Sequence, residues 1–398
     1  MCIRDSYTAR AGLFISLALM ASLNVFGQAS NDSTLALDFQ LRVRSEWRDG
    51  YRLAATDANS GNLTTVQRSR LGISGGWNKL EFKLQLQDIR SFGGPAGPTG
   101  NNIGAAAAWA AIPLTSKIKA TFGRQFVDID NGRIVGAANW ANPGRFLDGI
   151  RFDLARDKGK TSFLATWDEG ADTQRNIAYH MGTLGGGQQR YSLLFFDQSS
   201  STEADMTTAG GTWKWMPAKG KWWNMEAYMQ WPDAGGTAIM WVMDGGTKRD
   251  NGTQSGWGID YLSGSSNGAA FNPVLGTNHK FYGWIDHFYV GTASDGLLSA
   301  KLDHRIPCFA NRAKLGATLH HFRAPEGDAL LGNELDLWLT GRHASGIQWH
   351  IGWSVFDPTL RHVERQGHLS GEDNPNAAQT WQQWGWISLN LNPSILLQ

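Results

Sequence analysis

The residues of this chain best suited to chemistry are cationic and come at every second position. Arg42 and Arg44, Arg68 and Arg70, and Lys117 and Lys119 form such pairs, Lys79 and Lys83 share a face four residues apart, and Thr34 to Gln125 holds 12 Lys+Arg against 6 Asp+Glu. A guanidinium fork binds a carboxylate through two parallel hydrogen bonds, and rings of Arg and Lys around a passage favour anions. Asp38, Glu46, Glu81 and Asp153 share the same face by parity, so the ladder has mixed sign. Mixed sign is also what any solvated interior carries. In a passage for a polyanion it would guide the polymer without holding it.

Side chains two apart share a face only in an extended strand. The stretch LALDFQLRVRSEWR (Leu35 to Arg48) shows this alternation, with Leu35, Leu37, Phe39, Leu41, Val43 and Trp47 opposite Asp38, Gln40, Arg42, Arg44, Glu46 and Arg48. KLEFKLQLQ (Lys79 to Gln87) repeats it, with Leu80, Phe82 and Leu84 opposite Lys79 and Lys83. Similar segments recur to WGWISLNL (Trp384 to Leu391), and their number is eighteen, with sixteen as the fallback because Ile103 to Ala111 and Ala238 to Met243 alternate least. Such a strand covers a core in a soluble sheet, whereas in a membrane barrel its apolar face meets lipid and its charges line the interior.

The connections decide between these homes. Long ones (Asp49 to Leu63, Ser91 to Asn102, Phe126 to Arg145, Ser263 to Gly296, Asp357 to Gln379) alternate with short ones such as Arg156 to Lys160 and Arg342 to Gly346. Outer-membrane barrels alternate short periplasmic turns with longer external loops. The fold expected is an all-β transmembrane antiparallel barrel with both termini periplasmic. Its interior should be wet, because that many strands leave an aqueous channel.

Composition agrees. Mean hydropathy is negative, and beyond residue 30 no apolar run approaches the roughly 20 residues of a membrane helix. The 48 glycines and 19 tryptophans suit many turns and an interfacial aromatic belt. Trp213, Trp215, Trp223, Trp231, Trp349, Trp353, Trp381 and Trp384 are read as that belt. A net charge of +1 gives no argument for nucleic acid. Arg10, the apolar run Ala11 to Phe26 and the small residues Gly27-Gln28-Ala29 read as a signal peptide over 1–29, preceded by an opening MCIRDS unlike a natural start. Residues 30–398 then form one barrel domain with a single cysteine, Cys308, and no internal disulfide. The chain closes on NLNPSILLQ without the usual terminal aromatic, which leaves its completeness open.

One block goes further. FGRQFVDIDNGRIVGAANWANPGRFLDGIRFDL (Phe122 to Leu154) joins GRQ, a Gly-Arg-Ile-Val-Gly turn, a Trp and an Arg-Phe-Leu-Asp-Gly-Ile run. It resembles the alginate export family of outer-membrane barrels, and NHKFYGWIDHFY (Asn278 to Tyr289) looks like a second block of that family. The resemblance implies an 18-stranded barrel whose arginine-rich, anion-selective lumen is narrowed by infolded loops and passes a negatively charged uronate polymer. Carried over by residue, it adds Arg124, Arg133, Arg145, Asp148 and Arg151 to a pathway that also holds Arg42, Arg44, Arg68, Arg70, Lys79 and Lys83. Residues 126–145 are the segment expected to fold inward.

Other signals are weaker. DIDNG (Asp128 to Gly132) lacks the glycine position and terminal Glu of a calcium loop, the histidines match no zinc spacing, and GTLGGGQQ (Gly182 to Gln189) lacks a strand-to-helix context. No cofactor, metal site or catalytic constellation is legible, so no enzyme is expected. The partners expected are an anionic polysaccharide or oligosaccharide crossing by passive diffusion, outer-membrane lipid and the barrel-assembly machinery. A general anion-preferring porin and a secreted Trp-rich carbohydrate-binding β-protein are the alternatives.

Overall fold

The computed structural model describes residues 33–52, 61–92, 103–288, 294–366 and 381–397, so the segment read as a signal peptide lies outside the described residues. The strands are β1 (Thr34–Asp49), β2 (Asn62–Trp77), β3 (Leu80–Ser91), β4 (Gly104–Pro113), β5 (Ile118–Gln125) and β6 (Leu147–Arg156). They continue as β7 (Gly159–Asp168), β8 (Thr173–Leu184), β9 (Gln189–Ser200), β10 (Met206–Trp215), β11 (Lys221–Pro232) and β12 (Ala238–Lys248). The last are β13 (Gln254–Leu262), β14 (Leu297–Cys308), β15 (Ala313–Ala324), β16 (Ala329–Arg342), β17 (Gln348–Pro358), β18 (Gln382–Leu391) and β19 (Ser394–Leu397).

From β1 to β18 each strand pairs antiparallel with the next, and β1 closes the ring by pairing with β2 on one side and with β18 and β19 on the other. The final stave is one strand broken at Pro393, whose ring removes a ladder donor. Its carbonyl still accepts from the Phe39 amide at 3.0 Å. The wall is thus a closed barrel of eighteen staves, and Ile103 to Ala111 and Ala238 to Met243 both lie in it. A closed ring leaves no unpaired strand edge, which a bilayer requires.

The outer face is the apolar one. Leu37, Phe39, Leu84, Phe163, Leu193, Phe195, Met229 and Ile351 are exposed around the wall, with Trp167, Trp223, Trp231 and Trp353 among them. Trp384 is an exception to the belt reading: it is fully buried inside the barrel against Trp386, their rings 4.1 Å apart.

The two rims differ in charge. The short turns and the strand residues abutting them carry Lys79, Lys117, Arg156, Lys158, Lys219, Lys221, Lys248, Arg249, Arg312 and Arg342 against Asp157 and Asp250. At the opposite rim, the four short loops with their abutting residues carry Asp168, Glu169 and Asp172, Glu203 and Asp205, Asp233, and Glu326 and Asp328, with no lysine or arginine. Lys79 therefore does not line the interior as its parity suggested. Asn78 and Lys79 form a two-residue hairpin turn with φ of 48° and 67°, because β2 runs on to Trp77 and the turn falls two residues later than GGWN implied.

The interior is not an open wet tube. Residues 126–146, 263–288 and 294–296, between β5 and β6 and between β13 and β14, fold inward, and the two loops meet at a parallel bridge from Val135 to Leu275. Ile134, Phe271, Leu275, Phe281, Ile285 and Phe288 from these loops pack against Met240, Leu262, Leu297, Phe322, Phe356 and Trp384 of the wall. Burial of that apolar surface fills the space that eighteen staves would otherwise leave to water.

Candidate functional site in the barrel interior

Alternation points Arg42 and Arg44 of β1, and Arg68 and Arg70 of β2, into the barrel, where all four are buried. Their partners are chiefly backbone carbonyls of the inward loop. Arg42 donates to Asn139 O at 3.0 Å and Ala141 O at 3.1 Å, Arg44 to Trp140 O at 2.8 Å, and Arg70 to Pro143 O at 3.4 Å. Arg68 donates to the carbonyls of Asn139, Ala141 and Asn142 at 3.2–3.3 Å. Arg44 also lies over the Trp140 ring, 4.5 Å from its centroid, and pairs with Glu46. Hydrogen bonds to charged groups are worth about 1.5–3 kcal/mol each, so these four side chains clamp residues 139–143 to the wall. They act as anchors, and their guanidinium forks are already occupied.

Arg133, at the tip of the same loop, is 2% exposed. It donates to Asp260 through Nη1 at 2.5 Å and Nη2 at 3.2 Å, and through Nε to Glu226 at 3.2 Å. Its guanidinium lies 3.9 Å from the centroid of Phe281, and Asn131 donates to the same Glu226 carboxylate. Burial pulls the Arg133 pKa down, but Asp260 and Glu226 more than offset it and hold it above the ordinary value. Arg145 donates to the carbonyls of Gly136, Leu275 and Gly276, fastening the two infolded loops to each other.

Arg124 and Asp148 are a correction to the pathway. In the β5–β6 register Phe122 faces Ile150 and Arg124 faces Asp148, so the charged pair continues the outward face of Phe122, Ile150 and Phe152. The two form a bidentate ion pair, 2.8 and 2.5 Å, on the outside of the wall near its external end. Lys83 does point inward, paired with Asp38 at 3.1 Å. Arg151 points inward too, paired with Asp153 at 3.1 Å.

Below the infolded loops, on the short-turn side, lies a cavity of about 850 Å³. Its roof is loop: Asp128, Asp130, Asn131 and Arg133 from one side and Lys280 and Phe281 from the other. Its walls are β6 to β14, which contribute Arg151, Lys160, Arg190, Lys214, Lys301 and Arg305 against Asp153, Asp244 and Asp303. Asp153 is shared by Arg151 and Lys160, and Asp303 pairs with Arg305. Asp130 is held by the hydroxyls of Tyr179 and Ser192, both at 2.7 Å, and Asp244 by Asn224 at 2.9 Å. Arg190, Lys214 and Lys301 have no carboxylate within ion-pair distance among the described residues. Lys280 donates to Asn131 O at 2.9 Å, and burial, then Arg133, lowers its pKa. Rings of Tyr179, Trp222 and Phe281 border the same space. A second recess of about 620 Å³, lined by Lys219, Lys221 and Lys248, shares Lys214, Trp222 and Gln254 with the first and leads to the short-turn rim.

Sequence reasoning passed over Lys160, Arg190, Lys214, Lys280, Lys301 and Arg305. The alternation in AGGTWKW (Ala209 to Trp215) and LSAKLDHR (Leu298 to Arg305) already marked Lys214, Lys301 and Arg305 as opposite an apolar face, and Lys280 lies within NHKFYGWIDHFY.

No protein-family model matches the chain, and no curated protein matches it in sequence. Its fold has close counterparts among solved structures. A substituted form of OccD1 (OprD) superposes with a TM-score of 0.64 at 10% identity, over 93% of this chain and 97% of that one. OccK11 (OpdR) of Pseudomonas aeruginosa gives 0.62 at 14% identity over 92% and 96%, and OpdK of the same organism, solved with vanillate, 0.62 at 11% over 92% and 100%. The likeness is one of fold. With the apolar outer face and closed ring, it makes this chain an eighteen-stranded barrel of the Gram-negative outer membrane.

Proposed function

We propose that the barrel is a passive channel for small carboxylate-bearing ring solutes, uronic acids and their short oligomers foremost. The observation that carries this is the cavity of about 850 Å³ in which Arg190, Lys214 and Lys301 lack carboxylate partners among the described residues, beside the rings of Tyr179, Trp222 and Phe281. Its size falls within the ~300–1,000 Å³ usual for sites that enclose a small ligand. Unpaired cations supply the complement to a carboxylate, and flat aromatic faces suit a ring. The vanillate in the OpdK structure has the same two parts, a ring and a carboxylate, and that protein shares this fold. An alginate-like polymer is the less favoured form of the substrate, because the packed loops leave space on the scale of a monomer or short oligomer.

Fixed positive charges in a confined, partly desolvated passage act at lower effective dielectric than in bulk water, so a few outweigh a near-zero total. Single-channel recording in KCl should show anion preference, and glucuronate should interrupt the current at concentrations where glucose does not. Equal indifference to both would leave a general porin. Block by long polyuronate but not by the monomer would restore the polymer reading.

A further inference from the structure

The net charge of +1 conceals a separation of charge along the barrel axis. The short-turn rim holds ten cationic side chains against two carboxylates, while the four short loops of the opposite rim hold eight carboxylates and no cation. Local pairing does not cancel this. Asp250 is engaged by Lys219, Glu203 by Arg175 and Asp328 by Arg323, which leaves a surplus of positive charge among the short turns and of negative charge among the four short loops opposite. Most of the strands have ten to twelve residues, which at ~3.3 Å rise and ~40° tilt separate the rims by roughly 25 Å. That is about three Debye lengths at physiological ionic strength, so each rim sets its own local potential. The cationic rim also continues inward, because the recess of Lys219, Lys221 and Lys248 opens onto the cavity of Lys214 and Lys301.

We infer that this bipolar arrangement makes the channel an ionic rectifier, whose short-turn collar gathers anions from the periplasmic side. The inference rests on the channel reading above. Anions enter readily at the cationic end and cations at the acidic end. When the outer chamber is positive, both are driven toward the middle, their concentrations rise there and conductance is high. With the opposite polarity both are drawn out of the middle, and it is depleted. The same field raises the rate at which a carboxylate reaches the cavity from the periplasmic mouth. Focusing of this kind is worth ~10-fold or more in on-rate at low ionic strength. A passive channel gains no net direction from it, and only the two entry rates differ.

The test is single-channel recording in symmetric KCl. The chamber facing the short turns is identified by which side a membrane-impermeant maleimide reaches Cys308, at the end of β14, in Cys2→Ser protein. At 0.1 M the current with the outer chamber positive should exceed that at the opposite polarity by ~2-fold or more, and the difference should vanish at 1 M, where the Debye length is ~3 Å. Glucuronate should block with a faster on-rate from the short-turn chamber. Lys219→Glu/Lys221→Glu/Lys248→Glu/Arg249→Glu should remove both asymmetries in protein that keeps its heat-modifiable gel mobility. If that variant does not fold, the Gln series should reduce them, and Asp168→Asn/Glu169→Gln/Asp172→Asn should weaken rectification from the other rim. A symmetric current–voltage curve at 0.1 M, or rectification unmoved by every rim variant, overturns the inference. Charge reversal that alters only insertion into anionic-lipid bilayers overturns it too, in favour of a lipid-facing collar. Rectification in KCl without glucuronate block from either side leaves the collar standing and sinks the substrate reading instead.

Discussion

Replacing Arg133 with Met should undock the inward loop while leaving the wall intact. Arg133 is 2% exposed and holds two carboxylates, Glu226 and Asp260, that are themselves buried in the wall. Removing one partner of a buried ion pair costs about 3–5 kcal/mol, mostly from the charge left behind, and here two like charges remain. The docked loop can shed that cost by lifting away and admitting water to Glu226 and Asp260. At 1.4 kcal/mol per factor of ten, the docking equilibrium shifts by about two to three and a half orders of magnitude. The arginine clamps on residues 139–143 and Arg145 resist the change, so lifting should be confined to the tip around Asn131–Val135. The wall is carried by its own ladder and should keep its gel mobility. The assay is hydrogen exchange of the 129–137 amides alongside single-channel noise: protection should fall by two orders of magnitude and the open current should rise. Adding Glu226→Gln and Asp260→Asn should recover most of the protection, since the cost lies in the orphaned carboxylates. Unchanged exchange and conductance in Arg133→Met, or no rescue in the triple variant, would refute the reasoning.

Three further outcomes are expected. Leu84→Arg, on the lipid face, should cost ~2–4 kcal/mol in folding titrations into lipid vesicles, whereas Lys83→Arg, one residue away and inward, should be near neutral; equal effects would reverse the assigned faces. Lys214→Glu/Lys301→Glu should turn the reversal potential from anion- to cation-favouring and abolish glucuronate block, since these two have no carboxylate partner among the described residues to compensate. His362, in the short helix Leu360–Arg365 of the ninth outer loop, is buried and bonds His287 of the seventh at 3.0 Å, with Phe356, Phe288 and Arg365 around it. Burial, then His287 and Arg365, holds its pKa well below the ordinary 6.5, so the docked state binds fewer protons than the undocked one. That contact is therefore fully stable above about pH 6.5 and weakens by ~10-fold per unit as pH falls below it. Exchange at 285–288 should rise between pH 7.5 and 5.5 in the wild type and stay level in His362→Gln.

The wall was legible because lipid on one face and polar groups on the other impose period two on every stave. Even Ile103 to Ala111, nearly all alanine and glycine, is a strand because β3 and β5 pair with it on either side. The inside was less legible, because parity says which way Arg42 points but not what it meets. The infolding of residues 126–145 was expected, on the family resemblance, but the loop after β13 reads as external until its partners are known, and the carbonyls that occupy Arg42 and Arg68 leave no trace in side-chain identity. The outward turn of Arg124 and Asp148 was available in the alternation of LDGIRFDL, where Asp148 keeps step with Ile150 and Phe152. Carrying residues over from a motif masked it.

The four clamping arginines grip main-chain oxygens at residues 139–143, and every residue type presents that oxygen. The grip is thus largely indifferent to the side chains of the segment it holds. Substitutions there can reshape what the loop offers to a passing solute while the attachment survives, so this barrel can change its clientele without first relearning how to fold.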